Sequence, residues 1–177
     1  MIFHEEILTG GQRKTLRLLG PRSTADGFYL AGGTAIALHL GHRRSVDFDW
    51  FPGAHIHGVR VSFLEFRYRM LDALLTWPEY GCRLAGLRDL ACMKLSAIAQ
   101  RGSRKDFVDL HALGRHGFRL RDMLEWYQTK FEVQDIGHVL YALAYFDIAD
   151  SEPRPRMLWK SDWKDVKRTI LSWVREL

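Results

Sequence analysis

The chemistry of this chain of 177 residues centres on two acids. Asp47 and Asp49 stand two apart in Ser45-Val46-Asp47-Phe48-Asp49-Trp50-Phe51, a stretch that reads as a strand over 46–51 closed by Pro52-Gly53. Residues two apart on a strand share a face. Two carboxylates held side by side repel, and a divalent cation relieves that repulsion; hard oxygen ligands suit Mg²⁺. Two such ions roughly 3.5–4 Å apart activate an attacking oxygen and stabilise a leaving pyrophosphate. Alone, Asp-x-Asp fits a solvent-exposed strand face equally well. The turn upstream makes the pattern more specific. Gly32-Gly33-Thr34 opens a short apolar helix over 34–40 that stops at Gly41. Glycines let a backbone come close to a ligand, and a helix N-terminus offers free N–H groups and a positive dipole end to phosphate. The Thr34 hydroxyl adds a donor.

A second constellation follows downstream. Lys94, directed into a cleft, would neutralise a triphosphate as a point charge. Asp106 and Asp109 lie three apart and share a helix face. One of them, Asp106 by preference, would prepare an acceptor hydroxyl or add a third acid near the metals. The bland alternative is a solvated helical face with surface ion pairs. Of Arg43 and Arg44, one would hold a phosphate and the other lie on the surface. Ser45 has the strand parity of Asp47 and Asp49 and would face the same cleft. Glu65 is the place to look for a third metal carboxylate, although a strand-end surface acid fits it better. His39, His42, His55 and His57 have no Cys or Glu pattern that completes a zinc site and read as surface or capping histidines.

The elements that must position these groups are short. An amphipathic helix is expected over 4–19, ended by Gly20-Pro21, with strands over 28–31, 46–51 and 59–63 and a further short one at 82–84. The period then turns helical. Leu87, Leu90, Ala91, Leu95 and Ile98 share one face of a helix ending at Gly102, and further helices are expected over 104–114, 119–131, 135–146 and 162–175. Strands mostly first and helices mostly later predict an α+β fold, a small mixed sheet with flanking helices followed by a helical C-terminal lobe. The expected division is 1–86 and 87–177.

Composition sets wider bounds. The net charge of +5 favours phosphate-bearing partners, and Arg101, Arg104, Lys105, Arg115, Arg119 and Arg121 crowd one region, the RNA-facing candidate. Cys82 and Cys92 form no C-x-x-C motif and read as reduced, partly buried thiols. With no signal-peptide pattern at the start and no run of membrane-spanning length, no membrane contact and a cytoplasmic location are expected.

The segment from Ala31 through Gly32-Gly33 to Asp47-Phe48-Asp49 resembles the signature of the DNA polymerase β-like nucleotidyltransferase superfamily. The fuller string with Leu40-Gly41-His42-Arg43-Arg44-Ser45, together with Leu90-Ala91-Cys92-Met93-Lys94-Leu95, Gln100-Arg101-Gly102 and Lys105-Asp106-Phe107-Val108-Asp109-Leu110, is similar to the AbiEii/AbiGii toxin branch. The resemblance implies a nucleotidyltransferase-type sheet and transfer of a nucleoside monophosphate from an NTP to an acceptor hydroxyl. Asp47 and Asp49 would hold Mg²⁺, and Gly32, Gly33, Thr34, Arg44, Ser45 and Lys94 would bind the nucleotide, with Asp106 or Asp109 assisting. It further implies a toxin of a toxin–antitoxin or phage-defence system, with tRNA or other RNA as acceptor and a cognate antitoxin as partner. A small-molecule or protein acceptor, and an inactive relative acting as a binding module, are the alternatives. In longer relatives a substantial segment follows the Asp-x-Asp strand. Here only residues 52–58 precede the next strand, too short a linker for a helix and an extra strand.

Overall fold

The structure is a computed structural model that describes residues 3–49, 54–56, 59–62 and 68–177. Glu65, His57, Trp50 and Phe51 lie outside the described residues, as does the side chain of His55. The chain starts with a single 3-10 turn at Glu5–Ile7 and restarts as helix α1, Gly10–Ala25. The expected single helix over 4–19 is therefore two elements. The break is set by a capping box: the Thr9 hydroxyl accepts from the Gln12 backbone N–H at 3.2 Å, and the Gln12 side chain accepts from the Thr9 N–H at 2.9 Å. Nor does Gly20-Pro21 end the helix. Pro21 sits inside α1 on its exposed side, where water can satisfy the backbone carbonyl it leaves without a donor.

Helix α2 spans Gly32–Leu40, so the two glycines form its first turn and do not precede it. It is buried almost all round, with Ala35, Ile36, Ala37 and Leu38 at 0% exposure. Such a helix belongs at the centre of a fold, and burial of Ile36 and Leu38 stabilises it by about 1.5–3 kcal/mol each. Strand β1, Asp47–Asp49, pairs parallel with β3, Val59–Ser62, which pairs antiparallel with β2, Ala54–Ile56. The sheet is mixed, in the order β1-β3-β2. The linker after β1 thus does hold an extra strand, because three extended residues suffice to line the edge of β3. A second, two-stranded sheet pairs β4, Leu75–Trp77, with β5, Cys82–Leu84. The segment expected as a strand over 28–31 contributes only single bridges, Leu30 to Leu84 and Ala31 to Asp49, which tie the two sheets together.

The remaining elements are helical: α3 Leu87–Arg101, α4 Arg104–Arg115, α5 Leu120–Phe131, α6 Gly137–Leu143, α7 Asp147–Ser151 and α8 Trp163–Arg175. The stretch expected as one helix over 135–146 ends at Leu143, and α7 follows it. This is the α+β class the order of elements predicts. The division at residue 86 falls between β5 and α3, and one buried cluster runs across it from Ile7 to Ile170. Helix α3 packs against α2, α4, α5 and α6. Cys82 and Cys92 are free and buried, and burial pushes both thiols up to about 12, which leaves them unreactive at neutral pH. No described helix is long and apolar enough to cross a membrane.

One buried ion pair clamps the far end of α3. Lys130, at the end of α5, donates to Asp89 at 2.6 Å, with both side chains at 0% exposure. Asp89 also accepts the backbone N–H groups of Leu71 and Asp72. Replacing Asp89 by Ala strands a buried ammonium and two amides, and should destabilise the fold by about 3–5 kcal/mol. A urea denaturation midpoint within error of the parent protein would contradict this.

Candidate functional site

The first turn of α2 and the strand β1 meet without room for a side chain between them. Gly32 has φ +66°, and a Cβ there would lie 1.6 Å from Asp49 Oδ2. A Cβ on Gly33 would lie 2.4 Å from Arg43 Nη2. The glycines admit close approach, as their sequence pattern implies, but what approaches in this structure is the protein's own carboxylate and guanidinium. The Thr34 hydroxyl, fully buried, donates to the backbone carbonyl of Asp47. It fixes β1 against α2, so this hydroxyl is engaged within the protein.

Asp109 on α4 is the hub of the site. It is wholly buried, and Arg43 grips it bidentately, Nε to Oδ1 at 2.6 Å and Nη2 to Oδ2 at 2.8 Å. His42 Nε2 lies 2.7 Å from Oδ1, and Lys94 Nζ lies 2.9 Å from Oδ2. Lys94, from α3, also donates to Asp106 Oδ1 at 2.8 Å. Arg101, at the end of α3, closes the chain of contacts with Nε to Asp106 Oδ2 at 2.8 Å and Nη2 to Oδ1 at 3.1 Å. Its side chain is 56% exposed, while Lys94, Asp106 and Asp109 are buried. The network therefore reaches solvent at one end.

The electrostatics set Asp49 apart from the two aspartates of α4. Burial alone would raise the Asp109 carboxyl, but Arg43, Lys94 and His42 outweigh it and hold it well below its ordinary value of 3.8. Asp106 is lowered too: burial opposes, and Lys94 and Arg101 prevail. Lys94 is raised, its burial overcome by Asp109 and Asp106. Asp49 behaves oppositely. Burial raises its carboxyl and Asp47 adds to the rise, although Lys94, Lys105 and Arg101 lie within electrostatic reach. Asp47 and Asp49 are half-buried, flank the buried Phe48 and form no ion pair among the described residues.

The loop that carries His42 and Arg43 is pinned from the far end of the chain. Arg43 bridges to Met157. The Arg44 N–H donates to the Arg156 carbonyl at 2.9 Å, and the Leu158 and Trp159 N–H groups donate to the His42 carbonyl at 2.8 and 3.0 Å. Trp159 sets its ring against His42, and Arg115 lies over Trp159 at 4.9 Å.

Most groups singled out in the sequence thus converge. Gly32, Gly33, Asp47, Asp49, Lys94, Asp106 and Asp109 surround the start of α2. Arg43, not Arg44, is the arginine built into the network; Arg44 is half-buried beside it with Nε unpartnered. Ser45 is half-buried and precedes β1, so strand parity does not orient it; its carbonyl accepts from Gln12 Nε2 at 2.8 Å. His42 is not a surface histidine but fully buried, and His39 Nε2 donates to the Ala85 carbonyl at 3.0 Å. Among the described residues no group of three or more His, Cys, Asp or Glu could hold a metal. His42 and Arg101 are members of the site that the spacing arguments miss. Arg101 gave a readable signal, since it lies five residues before Asp106 at the start of the next helix. His42 gave none.

The acid limb of stability should report this network. A depressed folded value means that Asp109 and Asp106 stabilise the fold above the unfolded carboxylate value near 3.8, and that this stabilisation is lost as pH falls through their folded values. Asp49, with its raised value, acts in the opposite sense. Asp109→Asn should lower stability at neutral pH by about 3–5 kcal/mol and flatten the loss below about pH 4. An unchanged acid limb in denaturant melts would refute the assignment.

A family model described as nucleotidyl transferase AbiEii toxin, type IV TA system, matches residues 57–174. That match takes in α3 and α4 with Lys94, Asp106 and Asp109, and starts beyond β1. The uncharacterized protein aq_aa25 of Aquifex aeolicus (strain VF5) is 34% identical over 197 residues, covering 93% of this chain and 95% of its own length. The aligned span exceeds 177 residues, so that relative carries segments this chain lacks. No solved structure matches. With two thirds of its length matched by the family model, and with a relative aligned almost end to end, the chain belongs to the AbiEii nucleotidyl transferase toxin family.

Proposed function

We propose that this protein transfers a nucleoside monophosphate from an NTP to an acceptor hydroxyl, with RNA (tRNA included) as the acceptor, and that it acts in the cytoplasm as the toxin of a toxin–antitoxin pair. One observation carries the reading: of four aspartates gathered at the start of α2, two are saturated with cations and two are not. Asp106 and Asp109 already hold Lys94, Arg43 and Arg101. Asp47 and Asp49 share a strand face, are partly accessible and have no cation of their own; burial and mutual repulsion raise Asp49. That is the donor set a Mg²⁺ ion completes with phosphate oxygens and water, since this ion commonly takes one or two protein carboxylates. Bound there, it would supply the charge neutralisation that phosphoryl transfer demands.

In this reading the acceptor oxygen attacks the α-phosphorus, the bond from the α-phosphorus to the bridging oxygen of the β-phosphate breaks, pyrophosphate leaves with that oxygen, and the hydroxyl proton passes to solvent water. Backbone N–H groups of Gly33 and Thr34, at the N-terminus of α2, receive phosphate oxygens. Lys94 supplies fixed positive charge, and Arg101, the exposed end of the network, reaches the leaving phosphates. Asp106 and Asp109 serve as positioning residues. Carboxylates held below their ordinary range by bound cations are poor proton acceptors, so their part is to aim Lys94, Arg101 and Arg43. Arg44 and Ser45, beside β1, lie at the edge of the nucleotide position.

Asp47→Asn/Asp49→Asn should remove both labelling of RNA by a radioactive NTP and stabilisation by NTP with Mg²⁺. For the parent protein that stabilisation amounts to about 2.7 kcal/mol at a hundredfold excess over Kd. Labelling that persists in the double variant would exclude the site. Arg101→Ala should raise KM for the NTP roughly 10–100-fold, the loss of one charged hydrogen-bonding group. A fall in kcat with KM unchanged would place Arg101 elsewhere in the reaction.

A further inference from the structure

Helix α1 carries four basic residues, Arg13, Lys14, Arg17 and Arg22, and no acid. Its inward side is Gln12, Thr15, Leu16, Gly20 and Ser23. Its outward side, set by the helical period, is Lys14, Arg17, Leu18, Pro21 and Arg22, all exposed. Arg13 turns aside to Glu5, and Arg17 lies over the Tyr80 ring at 5.7 Å. The Lys14 and Arg22 side chains have no hydrogen bond or ion pair among the described residues. The arginines of the 101–121 region are engaged by contrast. Arg101 holds Asp106, Arg104 donates to the Ala149 and Asp150 carbonyls, Arg119 holds Asp122, and Arg121 donates to the Leu177 carbonyl.

We infer that the outward face of α1 is the docking surface for the sugar-phosphate backbone of the RNA acceptor; the inference rests on the nucleotidyl-transfer reading above. Lys14 and Arg22 leave two side-chain charges on this face without a partner of their own among the described residues. At 1.5 Å per residue, Lys14 to Arg22 span about 12 Å, a length over which a nucleic-acid strand presents several phosphates. The position is apt as well. Gln12, in the first turn of α1, donates to the Ser45 carbonyl at 2.8 Å, two residues before Asp47. This bond ties the inward side of α1 to the segment that leads into β1. The face also lacks the aromatic and apolar centre of a protein interface, with Leu18, 43% exposed, its one large apolar side chain.

The test is Lys14→Glu/Arg22→Glu in the full chain, which disturbs no internal contact. Binding of bulk tRNA is followed by fluorescence anisotropy over a salt series, with Arg119→Glu/Arg121→Glu as the charge-matched control. The α1 variant should bind at least 10-fold more weakly, and its slope of log affinity against log salt should fall by about 1–2, the loss of two phosphate contacts. The control should bind as the parent does, and all three should retain stabilisation by Mg²⁺ and NTP. Parent-like affinity in the α1 variant, an equal loss in the control, or displacement of RNA by polyglutamate at equal charge concentration would overturn the inference. Failure of the parent protein to bind RNA would overturn it too; NTP stabilisation that persists in that case leaves nucleotidyl transfer standing with another acceptor, and its absence removes both.

Discussion

A carboxylate with no access to water governs the architecture of this protein. Asp109 sits at full burial on α4, and a buried charge is tolerable only when paired and hydrogen-bonded. Its partners come from two separate places: His42 and Arg43 from the loop after α2, and Lys94 from α3. Satisfying one anion therefore fixes the relative placement of α2, α3 and α4. The same requirement explains the small residue at position 33, where the Arg43 guanidinium crosses the helix on its way to Asp109. The packing of the helices and the layout of the site are one solution to one electrostatic constraint.

That constraint also divides labour among the acids. The pair on α4 is neutralised by the protein, and the pair on β1 is left for something else. Had all four been saturated, the cluster would be a structural ion-pair network; had none been, the repulsion would be severe at these separations. Partial compensation is what a site for a charged complex requires. In the proposed reaction, cations already in place would meet the phosphates, and carboxylates left open would meet the metal. The fold thereby holds positive and negative subsites side by side, kept apart by the short helix α2 and its first turn.

The sequence disclosed this arrangement unevenly. Asp47 with Asp49, and Asp106 with Asp109, were readable because their spacing matches the period of the element that carries them. The two glycines were readable as a point of close approach, though not the identity of what approaches. His42 and Arg43 gain their role from Asp109, 67 and 66 residues further on; no local pattern encodes such a contact. The restart of α1 was encoded, in Thr9 and Gln12, as a capping box that outranks the apolar rhythm around it. Strands β2 and β4 were hidden for a simpler reason. Three residues are too few to display alternation, and their existence depends on a partner strand supplied by the fold.

The strap at 156–159 ties the site to the order in which the chain is made. Arg43 and His42 are held by residues more than 110 positions later. Closing so long a loop is among the slower steps of folding. During synthesis the segment through Asp49 emerges well before the segment that secures it, so the His42–Arg44 loop gains this buttress only once residues 156–159 have appeared. A nascent or truncated chain thus holds the acids of the site without the buttress behind them.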